Sequence, residues 1–267
     1  MKMGDLLPFV KYHGAGNDFI LIDNRTLRWT PIPEQVARLC DRHFGIGADG
    51  LMILDDEPGY DFRMTYFNSD GRESTMCGNG GRCMAGFANR LGIAGSDVRF
   101  SAIDGDHHAE IMSTDGGMSW VRLRMKDACL LKEYDDGLLL DTGSPHFVTF
   151  VPDAGLVNVV DLGARLRHEP RFAPGGANID FAEIREESLF VRTYERGVEN
   201  ETLSCGTGVT AATLAAAIKM DSGSGTTHIH TLGGELIVSF IRDGKSCRSI
   251  WLEGPAAFVF KGEIRLP

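Results

Sequence analysis

The sequence lacks a long apolar run and lacks an excess of basic residues. No segment approaches the roughly 20 apolar residues that a membrane helix needs, and residues 1–10, which include Asp5 and Pro8, do not resemble a signal peptide. The formal net charge is -10, so no basic field is available for a nucleic-acid backbone or an anionic membrane surface. These features predict a cytoplasmic protein that acts on a small molecule.

Closely spaced cysteine pairs are also missing. The six cysteines form no Cys-x-x-Cys motif, and cytoplasmic chains seldom carry structural disulfides, so neither a zinc site nor a disulfide framework is indicated. Cys77 and Cys205 each precede a glycine-rich segment. The remaining thiols are expected to be buried and unreactive, namely Cys40, Cys83, Cys129 and Cys247.

Short apolar runs of strand length dominate the chain. They predict strands at 19–23, 51–54, 62–67, 98–102, 120–125, 147–151, 189–194 and 237–241. Helical patterns are confined to 33–41, 80–91 and the alanine-rich segment 206–219. The polar stretch 126–136 falls near the midpoint and is expected to link two halves.

An internal repeat appears when the sequence is shifted by 128 residues. The shift aligns Cys77-Gly78-x-Gly80 with Cys205-Gly206-x-Gly208. It also aligns five further positions of the first half with identical residues in the second, which are Phe19, Thr65, Tyr66, Glu73 and Gly105. We therefore expect two duplicated domains, 1–127 with 256–267 and 128–255.

Both aligned cysteines stand immediately before a predicted helix. The first N–H groups of a helix have no internal partners and lie at the positive end of its dipole, so they stabilise a thiolate or a bound carboxylate. Both thiols are therefore expected to have lowered pKa values. Two such thiols suit a reaction that inverts a stereocentre, because one group must remove a proton while the other supplies one.

Several ordered motifs give the chain a family resemblance. They are HGAGNDF at 13–19, RHFGIGADG at 42–50, FNSDG at 67–71, MCGNGGRC at 76–83, ANI at 177–179, YERG at 194–197, SCGTG at 204–208 and GPA at 254–256. Together they run nearly from end to end, and the chain resembles the diaminopimelate epimerase family.

The resemblance implies an α+β fold of two pseudo-symmetric halves. Each half would be a curved, mostly antiparallel sheet wrapped around a central helix, with the active site in the cleft between them. The implied reaction converts LL-diaminopimelate to the meso form in lysine and peptidoglycan precursor synthesis, without pyridoxal phosphate or any metal. A homodimer is also implied.

The resemblance also implies roles for individual residues. Cys77 and Cys205 would be the two acid/base groups, with His146 and Glu195 as their polar partners. The substrate's reacting end would contact Asn17, Gly78, Asn79, Gly206 and Thr207. The distal end would contact Asn68, Asn178, Glu195 and Arg196.

Two positions depart from the family pattern. Ser144 stands where the family usually has asparagine, and Gly50 stands where some members have glutamine. A serine hydroxyl has a shorter reach than an amide, so a neighbour or a water would have to replace the asparagine contact.

Other functions share part of this pattern. A proline or hydroxyproline racemase would also use two thiols, and an isomerase of an unsaturated acid is a further relative whose members often lack one of them. From a different class, a redox-sensing binding protein would join Cys77 and Cys205 in a reversible disulfide. Arg196, Asn68 and Asn178 favour a substrate with a second charged end.

Overall fold

A computed structural model describes residues 4–75 and 77–266 of the chain. Met76 of the MCGNGGRC motif lies outside the described residues. The chain divides into two compact units, one formed by the residues up to Leu123 with those from Gly254 onward, and the other by Arg124–Glu253. These bounds lie close to the ones expected from the repeat, and the assignment of each half to a separate domain stays a prediction.

The first unit is a mixed sheet around one helix. Its elements are β1 (Leu6–Gly14), β2 (Asn17–Asp23), α1 (Pro33–Cys40), β3 (Gly50–Asp55), β4 (Phe62–Asn68), β5 (Glu73–Ser74), α2 (Gly78–Arg90), β6 (Asp97–Ala102), β7 (Gly105–Asp115), β8 (Met118–Arg124) and the second part of β17 (Ser246–Arg265). The pairs β2–β3 and β4–β6 are parallel, and the other pairs are antiparallel. Helix α2 packs against β1, β2, β3 and β7.

The second unit repeats this plan. Its elements are β9 (Ala128–Tyr134), β10 (Gly137–Asp141), β11 (Pro145–Phe150), α3 (Val159–Arg167), β12 (Asn178–Ile184), β13 (Ser188–Glu195), β14 (Asn200–Thr202), α4 (Gly206–Lys219), β15 (Gly225–Thr231), β16 (Gly234–Asp243) and the first part of β17, with two 3-10 turns at Ala154–Leu156 and Pro170–Phe172. Here the parallel pairs are β11–β12 and β13–β15.

The order of elements confirms the repeat. Helices α2 and α4 start at Gly78 and Gly206, which are 128 residues apart, and each follows a short strand that pairs with the strand before it. The parallel pairs β2–β3 and β4–β6 correspond to β11–β12 and β13–β15. The α+β class with two matching halves is therefore confirmed.

The central helices are buried because their sequences carry small or apolar residues on every side. In α4 all residues from Gly206 to Ala217 except Thr207 are buried. In α2 the glycines permit close approach, since a Cβ at Gly80 would lie 1.9 Å from Met52 Cε. Gly92, at φ 71°, ends α2 in the left-handed conformation that favours glycine.

Both faces of the sheets are covered. On the face away from α2, Val36 and Leu39 of α1 pack with Ile20 and Ile22 of β2 in one core. The corresponding core of the second unit joins α3 to β11, β12 and β13. Covered faces explain why β2 reads as a continuous apolar run instead of alternating with polar residues. None of the helices in the described residues has the length and apolar character needed to cross a bilayer.

The structure differs from the sequence predictions at two places in the middle of the chain. The stretch 126–136 is not a linker, because residues Ala128–Tyr134 form β9, which pairs with β10 and β17. Helix α3 (Val159–Arg167) was not predicted. Its N-cap Asn158 accepts a hydrogen bond from the Asp161 N–H, which is the usual chemistry of a helix start.

Gly50 occupies a position without room for a side chain. It pairs with Asn68 across β3 and β4, and a Cβ there would lie 2.5 Å from Tyr66 Cε2 and 2.7 Å from the Phe67 carbonyl oxygen. Backbone in a paired strand cannot move aside without breaking the ladder. In this chain Gly50 is therefore a packing requirement, and glutamine would not fit without displacing β4.

Gly50→Ala is expected to lower the free energy of unfolding by about 2 kcal/mol, because the added methyl overpacks the β3–β4 contact. Urea denaturation measures the loss. Gly95→Ala is the matched control, since a Cβ there meets nothing within 4 Å, and its effect should stay below about 0.5 kcal/mol. Equal stability of the two variants would contradict this account of Gly50.

Candidate active site

Cys77 is the N-cap residue of α2. Its backbone is extended, with φ -96° and ψ 131°, so the side chain stands beside the first turn instead of within it. The Cys77 carbonyl oxygen accepts from the Gly81 N–H at 2.7 Å, and the thiol is half-buried. Gly78, Asn79 and Gly80 are all buried, and Gly80 packs directly against Met52.

Asn17 joins the β1–β2 turn to the Cys77 thiol. Its Nδ2 donates to Asp49 Oδ2 at 2.7 Å, and because a carboxylate only accepts, this bond turns Oδ1 toward α2. The Cys77 thiol then donates to Asn17 Oδ1, with 3.6 Å between the heavy atoms, and Asn79 Nδ2 donates to the same oxygen at 3.3 Å. Three residues expected at the reacting end therefore lie together in the first unit.

Arg82 lies beneath this turn and is fully buried. It donates to Asn79 Oδ1 at 2.8 Å and to the Gly78 carbonyl oxygen at 3.3 Å. Burial lowers the pKa of Arg82 to about 10, opposed by the charges of Cys83 and Cys77. It therefore remains a cation at neutral pH. Sequence reasoning missed it, although an arginine directly after the glycine-rich start of α2 was a visible signal.

Cys205 is the N-cap residue of α4, with φ -115° and ψ 113°. Its sulfur lies 3.4 Å from Thr207 Oγ1, and only 7% of the residue is exposed. The Thr207 carbonyl oxygen accepts from the Thr142 hydroxyl at 2.9 Å, which ties the start of α4 to the end of β10. The second thiol thus has the same backbone position as the first but a different hydrogen-bonding neighbour.

A chain of buried polar groups continues from Thr207. His146 Nε2 lies 2.9 Å from Thr207 Oγ1, and His146 Nδ1 lies 2.7 Å from Asp180 Oδ2. The Thr193 hydroxyl donates to Asp180 Oδ1 at 2.7 Å. His146 and Asp180 have no exposed surface. They come from the parallel strands β11 and β12, where alternation directs them to the α4 face.

Asn178, Ser144 and Arg196 form a second cluster in this unit. Asn178 Oδ1 accepts from the Arg196 N–H at 2.7 Å, so its Nδ2 donates to Ser144 Oγ at 2.9 Å and faces His146 Nε2 at 3.2 Å. The Arg196 guanidinium donates to Ser144 Oγ at 3.3 Å. The serine that departs from the family pattern therefore bridges Asn178 and Arg196 directly.

The remaining expected site residues lie at strand ends. Glu195 is half-buried at the end of β13. Asn68 is exposed at the end of β4, where its backbone N–H donates to the Arg72 carbonyl oxygen at 3.0 Å. In the described residues, no three His, Cys, Asp or Glu side chains lie together in a metal-binding group.

Comparison with known proteins identifies the family. The model of the diaminopimelate epimerase family matches residues 9–128 and 138–259. A protein from Flavobacterium psychrophilum named diaminopimelate epimerase is 45% identical over 97% of this chain and 100% of its own length. One of the same name from Chlorobaculum tepidum is 41% identical over 95% of this chain and 99% of its own. The chain belongs to the diaminopimelate epimerase family.

Solved structures of lower similarity share the fold of this family. A hydroxyproline epimerase from Agrobacterium vitis superposes with a TM-score of 0.75 at 14% identity, covering 100% of this chain and 94% of that one. At this identity the likeness extends to the fold alone. The resemblance seen in the sequence motifs is thus confirmed for the family and for the fold.

The expectation of a lowered pKa is wrong for Cys205. Burial raises its pKa well above the ordinary value, and the charges of Glu195 and Asp180 add to this effect. Hydrogen bonds from Thr207 and the Gly208 N–H act in the opposite direction but are smaller influences. The start of a helix therefore does not by itself make a thiol acidic, because desolvation of the thiolate is the larger effect here.

Of the other four cysteines, three are buried as expected and one is not. Cys40, Cys83 and Cys247 are buried, and burial raises the pKa of each thiol. Cys129 is exposed on β9, so the expectation that it is buried is wrong. It lies on β9, in which only Ala128 is buried.

Alkylation of Cys205 by iodoacetamide is expected to be slow at pH 7 and to accelerate as the pH rises beyond 9. Only the thiolate reacts, and a raised pKa delays its formation to higher pH. Peptide mass spectrometry follows each thiol separately, and exposed Cys129 is the internal reference. A Cys205 rate that reaches its plateau below pH 8 would contradict the raised pKa.

Proposed function

We propose that this protein converts LL-diaminopimelate to meso-diaminopimelate without a cofactor, using Cys77 and Cys205 as a thiol and thiolate pair. One thiolate would remove the α-proton from one face of the substrate carbon, and the other thiol would deliver a proton to the opposite face. Curated relatives at 45% and 41% identity carry the name of this activity over nearly the whole chain.

The observation that carries the proposal is the matched position of the two thiols. Each is the N-cap of the central helix of its unit, and each is followed by Gly-x-Gly. Apart from these two helices, no described α-helix starts after a cysteine. A buried thiol without a reaction to perform would not need this position in both halves of a duplicated chain.

The helix starts also support binding of the substrate carboxylate. The N–H groups of Gly78 and Asn79, and those of Gly206 and Thr207, would donate to the carboxylate at the reacting end. The same donors would stabilise negative charge that develops when the α-proton leaves. Asn17 would complete the site at the first thiol, as its contact with Cys77 supports.

Further residues would assist the thiols or recognise the distal end of the substrate. His146 and Glu195 are proposed as polar partners of the thiols, and Glu195 already influences Cys205 electrostatically. Arg196 would bind the distal carboxylate together with Asn68 and Asn178, and its backbone N–H is held in place by Asn178. The homodimer and the cytoplasmic location implied by the resemblance belong to this proposal too.

The substrate assignment is tested by incubating reduced protein with LL-diaminopimelate and separating the LL and meso forms. Proline and trans-4-hydroxyproline are the comparison substrates, because a hydroxyproline epimerase shares this fold. We expect diaminopimelate to be epimerised, and we expect no reaction of proline or hydroxyproline. Turnover of proline or hydroxyproline without diaminopimelate would retain the two-thiol chemistry and refute the substrate.

Cys77→Ala and Cys205→Ala are each expected to reduce epimerisation by at least about 10³-fold, since each removes a group that takes or gives a proton. Chiral separation measures the rates, and circular dichroism checks the fold. Cys129→Ala is the matched control, because this thiol is exposed, and its rate should remain within about twofold of wild type. Near-normal turnover by either site variant would refute the two-thiol mechanism.

A further inference from the structure

Asp180 is a buried carboxylate that the resemblance does not assign to any role. Neither Asp180 nor His146 has exposed surface, and burial of a charge is costly unless it is fully hydrogen-bonded. Asp180 Oδ2 contacts His146 Nδ1 at 2.7 Å, and Oδ1 accepts from the Thr193 hydroxyl at 2.7 Å. Both oxygens are therefore occupied by partners from neighbouring strands.

The fold makes room for this carboxylate at the Cys205 motif. A Cβ at Gly208 would lie 2.5 Å from Asp180 Oδ1, so only glycine allows α4 to approach β12 here. The corresponding contact in the first unit joins Gly80 to Met52, where a Cβ would lie 1.9 Å from the methionine Cε. The same close packing thus holds a thioether under one thiol and a carboxylate under the other.

The bonds of Asp180 determine the tautomer of His146. An ionised carboxylate only accepts, so Nδ1 carries the hydrogen and donates it to Asp180. In neutral His146 the other nitrogen, Nε2, is then an acceptor. Asn178 Nδ2 lies 3.2 Å from Nε2, but it also contacts Ser144 Oγ at 2.9 Å and the Pro145 carbonyl oxygen at 3.1 Å, so the tautomer follows from Asp180 alone.

Thr207 connects this acceptor to the thiol. Its Oγ1 lies 2.9 Å from His146 Nε2 and 3.4 Å from Cys205 Sγ. The thiol can pass its proton to Thr207 Oγ1 while the threonine hydroxyl passes its own proton to His146 Nε2. The products are a Cys205 thiolate and a His146 imidazolium, and the threonine is unchanged, so no proton is gained or lost.

We propose that Asp180 is a positioning residue of the reaction, which orients His146 so that Cys205 exchanges its proton with His146 through Thr207. The inference rests on the proposed function, because it supplies the acid/base pathway for the second thiol. It also distinguishes the two halves of the molecule. In the repeat, Asp18 and Met52 stand at the positions of His146 and Asp180, so the first thiol has no equivalent chain.

The charge of Asp180 acts on both ends of this pathway. It contacts the imidazolium directly at 2.7 Å, whereas it lies beneath the Cys205 thiol without a hydrogen bond to the sulfur, and Coulomb energy falls with distance. It therefore stabilises His146 imidazolium more than it destabilises Cys205 thiolate. The negative charge of Glu195 also raises the pKa of Cys205, and this charge is the same in every variant of the test.

The test is the rate of Cys205 alkylation by iodoacetamide near pH 8 in Asp180→Asn and Thr207→Val, followed by peptide mass spectrometry. Each variant is expected to react about tenfold more slowly than wild type. In Asp180→Asn the His146 imidazolium loses its counter-charge, and in Thr207→Val the Cys205 thiolate loses the hydroxyl that links it to His146. Thr207→Ser should recover most of the rate lost in Thr207→Val. Thr213→Val is the matched control, since its hydroxyl donates to the Val209 carbonyl oxygen within α4, and its rate should stay within about twofold.

The direction in which the alkylation rate of Cys205 changes separates the proposal from a loosened fold or a simple charge effect. Loosened packing, or simple removal of a negative charge near the thiol, would accelerate alkylation of Cys205. An unchanged or faster rate in Asp180→Asn would overturn the inference. Diaminopimelate turnover is the second readout, in which Asp180→Asn should lower kcat by about 10²-fold with KM changed less than about threefold. Absence of turnover in wild type would refute the proposed function, and the alkylation rates would still decide the role of Asp180.

Discussion

The unpaired N–H groups at the start of a buried helix are the constraint on which this structure depends. Helices α2 and α4 are enclosed by their sheets, so their first turns cannot rely on open solvent. Glycines let these turns pack closely against the sheets, and an N-cap cysteine with extended backbone places its sulfur beside them. The same arrangement occurs in both units because the chain repeats after 128 residues, and it places a thiol at the start of a buried helix in each half.

The two thiols share the N-cap position, but the residues around them differ. Cys77 contacts Asn17, whose amide is oriented by Asp49, and the turn beneath it holds the buried cation Arg82. Cys205 contacts Thr207, and the buried group beneath it is an anion, Asp180. The two units thus share the backbone geometry at the thiol but differ in the charged residue buried beneath it.

Sequence patterns predicted the parts of the fold that depend on local chemistry. The bounds expected for α4 match those of the structure, and α2 begins only two residues before its expected start, because small residues and a glycine turn mark both helices. Arg82 was overlooked, although its partners Gly78 and Asn79 belong to the same helix. The role of Asp180 was not predictable, since its partners His146 and Thr193 lie on other strands and are distant in sequence. The same reason explains the error about the pKa of Cys205, where the positive end of the helix was visible but burial was not.

Deuterium labelling in D2O at early reaction times tests the two-thiol account most directly. If each thiol serves one face of the substrate carbon, the first meso-diaminopimelate formed should carry deuterium while the remaining LL-diaminopimelate keeps its protium. Mass spectrometry of the separated isomers measures both labels. Equal early labelling of substrate and product would indicate that one group serves both faces, and it would contradict the account.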